Sequence, residues 1–268
     1  MEENPIEPQI TGIVTRENWS QIVAFTADTV TYENSPLAFC DLLEFRGDTF
    51  EGAECLRCWD RFTQALGEVG APSKTIFTLR LQRDGGMLKD QFNRGPLYKG
   101  LEKVTAPDFL DIEIEHATGA LDLLRTIPSE LILSYHSMTS FPGISALEKI
   151  YDSMNSESPY GVKFAVHCDQ ANDCLELLKF AHSIQGNFAL TGVMGMGPYG
   201  RVSRLLSPML GAQLVYAYLG KAPTVPGQWE ASKLSKALQV EQASPSHKWT
   251  PETLTSDILN AYAQQYQG

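Results

Sequence analysis

Hydrophobic and polar positions along this chain switch repeatedly between two periods. Short apolar runs fall at 10–15, 39–46, 75–80, 109–115, 131–136, 162–166, 188–194 and 214–219. Their length predicts β-strands. Between them lie longer stretches, such as 54–69, 144–155, 171–184 and 202–210, whose apolar residues recur at helical spacing. Asp173 and Ser203 sit where helix starts favour polar groups. Strands alternating with helices imply a parallel sheet, and eight such units favour an α/β fold closed into a (β/α)8 TIM barrel. The chain shows no repeat period and no low-complexity linker. We expect a single barrel domain over 1–228 and a helical extension over 229–268 packed on the barrel's bottom or flank. That extension holds a predicted helix at 251–264, with Thr250 as its cap.

Parity within the strands sharpens this picture, because successive strand residues face opposite sides. Leu43 and Phe45 share one face, Glu44 and Arg46 the other. Phe77 and Leu79 oppose Thr78 and Arg80. Ile112 and Ile114 oppose Asp111, Glu113 and Glu115, and Leu133 and Tyr135 oppose Ser134 and His136. An antiparallel sandwich with one wet face has the same alternation. In a barrel, however, helices cover the apolar faces and the charged faces point inward. The charges also gather at the C-terminal ends of the strands, where barrel enzymes keep their sites.

Composition narrows the partners. The 268 residues carry a net charge of -11, with 43% hydrophobic and 20% charged residues. An acidic surface argues against a nucleic-acid or anionic-membrane partner. The first twenty residues show no signal peptide, and no run reaches the roughly 18 apolar residues of a membrane helix. A cytoplasmic protein is expected, so Asn18-Trp19-Ser20 carries no meaning as a glycosylation site. Five cysteines, an odd number, fit reduced thiols. Cys55-Leu-Arg-Cys58 has no second pair at zinc-site distance and reads as helix packing. His167-Cys168 supplies two ligands only, and no metal or organic cofactor is expected.

The chemistry lies in titratable groups on buried strands. Lys163 stands inside the apolar run 161–166, and His136 ends the run 131–136. An unpaired charge out of water costs several kcal/mol or loses its charge. Chains that keep such groups usually need an acid, a base or an amine nucleophile there. The structural alternatives are an ion pair for Lys163 and a satisfied core imidazole for His136. Gly195-Met-Gly-Pro-Tyr-Gly200 matches GxGxxG, but it comes late and lacks an acidic residue about 20 positions on. Its glycines are better read as letting the loop after the seventh strand approach a bound anion, with Arg204 supplying the charge.

Taken in order, Asp41-Leu-Leu-Glu-Phe-Arg-Gly-Asp48, Thr78-Leu-Arg80, Ser134-Tyr-His136, Val162-Lys163, Met196 through Ser203-Arg204, and Pro226-Gly-Gln228 resemble the type I 3-dehydroquinate dehydratases. These are Schiff-base enzymes of the shikimate route. The resemblance runs from about Thr15 to Gln228. It implies that Lys163 forms an imine with the ketone of 3-dehydroquinate. His136 then removes the proton beside the imine and later helps water leave. Arg204 pairs with the substrate carboxylate, while Glu44, Arg46, Arg80 and Gln228 hold the ring hydroxyls. Thr15 matches a hydroxyl position at the end of the first strand. Asp84 stands where the family commonly has a glutamate beside the catalytic histidine, Ser137 where an acidic or amide residue is common, and Thr224 where it has serine. The resemblance also implies a homodimer.

These roles suit the residue types. Dehydration beside a ketone needs an electron sink, and a protonated imine is a better one than the carbonyl. A free lysine titrates near about 10.4, so an amine nucleophile needs surroundings that disfavour charge. Arg46, Arg80 and Arg204 are its expected neighbours. Two other readings share part of this set: a class I aldolase-type barrel, which shares Lys163, and a non-catalytic sensor of quinate-type ligands.

Overall fold

The computed structural model describes residues 7–27, 32–117, 119–243 and 249–266. Eight parallel strands succeed one another: β1 (Gln9–Val14), β2 (Leu42–Arg46), β3 (Lys74–Thr78), β4 (Phe109–Glu113), β5 (Glu130–Ser137), β6 (Gly161–His167), β7 (Leu190–Met196) and β8 (Leu214–Tyr218). Each pairs with the next from β1 to β7, and β1 also pairs with β8. Gln213 closes the ring. Its N–H donates to Thr191 O at 2.7 Å, and its side-chain oxygen accepts from Thr191 N at 2.8 Å. Gly192 permits this approach, since a Cβ there would stand 3.1 Å from Leu214 Cβ. The result is the (β/α)8 barrel that the alternation predicts. At its upper end β8 leaves β7 and pairs with a two-residue strand, β9 (Trp229–Glu230).

The helices are α1 (Arg16–Ala27), α2 (Gly52–Glu68), α3 (Gly95–Gly100), α4 (Leu121–Leu124), α5 (Ile144–Ser156), α6 (Ala171–Ser183), α7 (Gly200–Leu206), α8 (Ala231–Ala243) and α9 (Ser256–Gln265). Helix α2 shows why they cover the sheet. Cys55, Trp59, Phe62 and Leu66 recur every three or four residues and are all buried. Trp59 packs edge-on against Phe45 and Phe77, at 5.4 and 5.3 Å between centroids. Each fully buried side chain of this size contributes about 1.5–3 kcal/mol. Cys55 and Cys58 are free thiols in this layer, and burial pushes Cys55 up to about 12, so CxxC here is packing.

Strand parity divides the interior as expected. Leu43, Phe45, Leu110, Leu133 and Phe164 face the helices. Leu42, Ile76, Phe109, Ile132, Leu190 and Leu214 face inward and form an apolar floor. Directly above that floor the inward residues become polar: Glu44, Thr78, Asp111, Ser134 and Lys163 are all buried.

Three local expectations shift. Asp173 does start α6, in a capping box with Gln170. Ser203 instead lies inside α7, where its hydroxyl donates to Gly200 O and accepts from Gly195 N. The cap of the last helix is Thr255, which accepts from Ile258 N at 3.3 Å, and not Thr250. Thr250 belongs to a separate turn closed by Thr253 Oγ1. Beyond Gln228, β9 extends the sheet and α8 packs on β1 and β8, so a division at Gln228 cuts through the last barrel unit. Helix α9 lies on the flank against α6 and α7. The expected barrel start at residue 1 and tail end at Gly268 lie outside the described residues.

Candidate active site

Lys163 is 4% exposed, on the inward face of β6. Its Nζ lies 3.1 Å from Glu44 Oε1 and 3.0 Å from Asp111 Oδ2, and 3.9 Å from the centroid of the Tyr216 ring. Pairing with two carboxylates and a ring face offsets the cost of desolvating an ammonium. Carboxylates contact Nζ directly, while the expected Arg46, Arg80 and Arg204 line the same cavity. Arg80 donates to Asp111 Oδ1 at 2.9 Å, Glu113 Oε1 at 3.0 Å and Ser134 Oγ at 2.9 Å. Burial works against the Arg80 charge, but Asp111, Glu113 and Glu44 outweigh it and raise its pKa. Burial would likewise raise Asp111, yet Arg80 and Lys163 hold its carboxyl well below the usual carboxylate range.

His136 stands on the neighbouring strand β5, with Nδ1 3.2 Å from Arg80 Nη1. A guanidinium only donates, so Nδ1 accepts and a neutral ring carries its proton on Nε2. Burial, then the charges of Arg80 and Lys163, push His136 well below the ordinary imidazole value. The ring is neutral at pH 7. Asp84 lines the same cavity but makes no hydrogen bond to His136. It lies 3.4 Å from His116 Nε2 instead. Its side chain is one methylene short of glutamate, and Arg80 already occupies His136 Nδ1. Burial and the nearby Glu113 raise Asp84 to about 6 against the opposing charges of His116 and Arg80.

Across the cavity, Arg204 is 1% exposed and has no carboxylate partner among the described residues. Its Nη1 donates to the carbonyls of Gly195, Gly200 and Gly227, while Nε has no hydrogen-bond partner among the described residues. Burial lowers its pKa to about 10, opposed only by Cys168. A buried guanidinium in this condition calls for an anion. The GxGxxG glycines make the arrangement sterically possible. Gly197 has φ +72, and a Cβ on Gly200 would stand 2.8 Å from Gly227 Cα. They serve close backbone packing around Arg204.

The rim is built by the remaining predicted residues. Arg46 is held by Asp48 through two 2.8 Å bonds. Gln228 Oε1 accepts from both the N–H and the hydroxyl of Thr224 at 2.9 Å, which ties down the loop after β8. Glu44, Arg46, Arg80, Thr224 and Gln228 all line the cavity. Thr15 does not, and Ile13 represents β1 there. The chain leaves β1 at Val14, and Thr15 turns into α1 with its N–H donating to Asn18 Oδ1 at 2.8 Å.

A model of the type I 3-dehydroquinase family matches residues 22–245. The chain belongs to the type I 3-dehydroquinase family. As a type I 3-dehydroquinase it is an enzyme, and its reaction is a dehydration. It is 30% identical over 201 residues to the 3-dehydroquinate dehydratase of Streptococcus gordonii, covering 73% of this chain and 85% of the relative. It is 29% identical over 213 residues to that of Aromatoleum aromaticum, covering 76% and 81%. The crystal structure of 3-dehydroquinate dehydratase from Geobacillus kaustophilus shares its fold, with TM-score 0.73, 21% identity and coverage of 89% and 93%. The Enterococcus faecalis enzyme structure does so with TM-score 0.69, 23% identity and coverage of 87% and 94%.

Sequence reasoning left three residues of this type I 3-dehydroquinase site unassigned. Asp111 and Glu113 were legible as inward-facing acids by parity, but only the fold shows what they grip. Arg94, which donates to Glu113 Oε2 at 2.6 Å and to Leu79 O at 2.9 Å, lies in a loop with no periodicity to reveal it.

Proposed function

We propose that this chain dehydrates 3-dehydroquinate to 3-dehydroshikimate through an imine on Lys163. The observation that carries this reading is a buried amine and a neutral imidazole on adjacent strands, facing an uncompensated buried guanidinium. Arg204 binds the substrate carboxylate. The hydroxyls lie against Glu44, Arg46, Arg80 and Gln228, whose polar groups fix the ring.

Lys163 must first surrender a proton, and Glu44 Oε1, in contact with Nζ, is the acceptor at hand. The free amine adds to the ketone, and loss of water gives a protonated imine. When substrate hydroxyls engage Arg80, His136 Nδ1 is released and the ring holds both a lone pair and an N–H. It takes the proton beside the imine, leaving an enamine, and then protonates the departing hydroxyl. Water hydrolyses the product imine and frees Lys163. No step needs a metal or an organic cofactor.

Asp84 acts at a distance from His136, and Thr224 acts by holding Gln228. Thr15 takes no part in substrate contact in this geometry. We place the reaction in the shikimate route to aromatic amino acids, in the cytoplasm. Five buried, unpaired cysteines support a reducing compartment. Among the described residues no helix is long and apolar enough to cross a membrane. The homodimer follows from the family resemblance alone, and light scattering tests it.

The decisive experiment incubates the protein with 3-dehydroquinate and borohydride and then measures intact and peptide masses. Reduced ligand on the peptide carrying Lys163 is the expected result. No adduct under conditions where ligand binds would overturn the imine.

A further inference from the structure

The turn after β3 (Gln82–Asp84) and the turn after β4 (Ile114–His116) bring Asp84, which lines the cavity, together with Glu115 and His116. Asp84 Oδ2 and His116 Nε2 are 3.4 Å apart. Both atoms are buried, and neither has a hydrogen-bond partner among the described residues. Asp84 is only 4% exposed, so this unpartnered oxygen is taken out of water at a cost the pair does not repay in hydrogen bonds. Glu115 is exposed and brings a third oxygen, with all three ligating atoms within 4.8 Å of one another.

That geometry has a specific meaning. Two ligands about 2.0–2.1 Å from a tetrahedral zinc ion stand about 3.3–3.4 Å apart, the spacing of the Asp84–His116 pair. Glu115, exposed at the surface, needs to close by at most about 1.4 Å to supply the third ligand. One imidazole and two carboxylates suit zinc and its neighbours and suit magnesium or calcium poorly. We propose that Asp84, Glu115 and His116 form a binding site for a divalent transition-metal ion of the zinc class.

Three protein ligands leave a fourth position for water. The ion joins the β3 and β4 turns, and it neutralises the buried carboxylate of Asp84. Both carboxylates must be deprotonated and the imidazole must offer its lone pair for the ion to bind.

The test is calorimetric titration of the chelator-treated full chain with Zn2+ at pH 7.5, repeated with Glu115→Gln and His116→Ala. The expected result is one Zn2+ per chain at micromolar affinity, weakened at least about tenfold in each folded variant. Mg2+ at the same concentrations should give no binding heat. Absence of Zn2+ binding at about 100 μM, or less than tenfold weakening in either folded variant, would leave the pair a plain ion pair and overturn the site. Glu115 is exposed and its substitution spares the core, so Glu115→Gln decides alone if His116→Ala does not fold.

Discussion

Lys163 and Asp111 meet across the barrel interior, Nζ to Oδ2 at 3.0 Å, while Asp111 Oδ1 holds Arg80 at 2.9 Å. One carboxylate thus positions both the amine and the guanidinium that occupies His136. Asp111→Asn keeps the shape and removes the charge, leaving two cations with less compensation. Breaking such a buried pair costs about 3–5 kcal/mol. Urea unfolding should show that loss, and kcat should fall by about 100-fold as Lys163 loses its position. A change below about 1 kcal/mol would mean that the contact is not structural.

Arg204 is tested by Arg204→Lys. Lysine keeps a charge but lacks the planar fork, so it cannot hold three carbonyls and a carboxylate together. KM for 3-dehydroquinate should rise about 10–100-fold, with kcat changing much less. Steady-state kinetics separates the two constants. A fall in kcat at unchanged KM would contradict a role in carboxylate anchoring.

The depressed pKa of His136 makes a stability prediction. The unfolded chain takes up this proton below about 6.5 while the folded chain does not, so the unfolded state binds more protons in that window. Stability therefore rises with pH up to about 6.5 and is lost below it, by at most about 1.4 kcal/mol per pH unit. Replacing His136 by Gln should remove that part of the slope. Unfolding curves at pH 7.5, 6.5 and 5.5 for both proteins measure it, and equal slopes would place the folded imidazole at its ordinary value.

Gly200 gives a steric test. A Cβ there would stand 2.8 Å from Gly227 Cα and 3.1 Å from Arg204 Nη1, both on backbone or a pinned side chain. Gly200→Ala should separate the two loops that meet at Arg204, lowering stability by about 1–3 kcal/mol and raising KM. Thermal melting and kinetics together check this. Unchanged KM would detach these glycines from the substrate loop.

Much of the site was legible in the chain because a strand's period of two needs no tertiary information. Glu44, Arg80 and His136 could be assigned to one face from parity alone, Lys163 stood out as a charge within an apolar run, and each does line the cavity. Arg94 could not, since a loop residue acquires its partner only when the chain closes. Asp84 shows a different limit. Its position in the chain matched a histidine-orienting acid, yet a carboxylate one methylene shorter, with a competing guanidinium and a nearby His116, settles elsewhere.

The sequence by itself determined the alternation of strands and helices, the inward face of the second to fifth strands and the family to which those strand-end residues belong. These are local patterns, fixed by burial periodicity and residue chemistry. Only the tertiary structure decided which charges neutralise which. It put carboxylates against Lys163, left Arg204 without a carboxylate among the described residues, and drew β9 and α8 into the barrel. Electrostatic partnership depends on distances of a few ångströms between residues far apart in the chain, and those distances exist only after the barrel has closed.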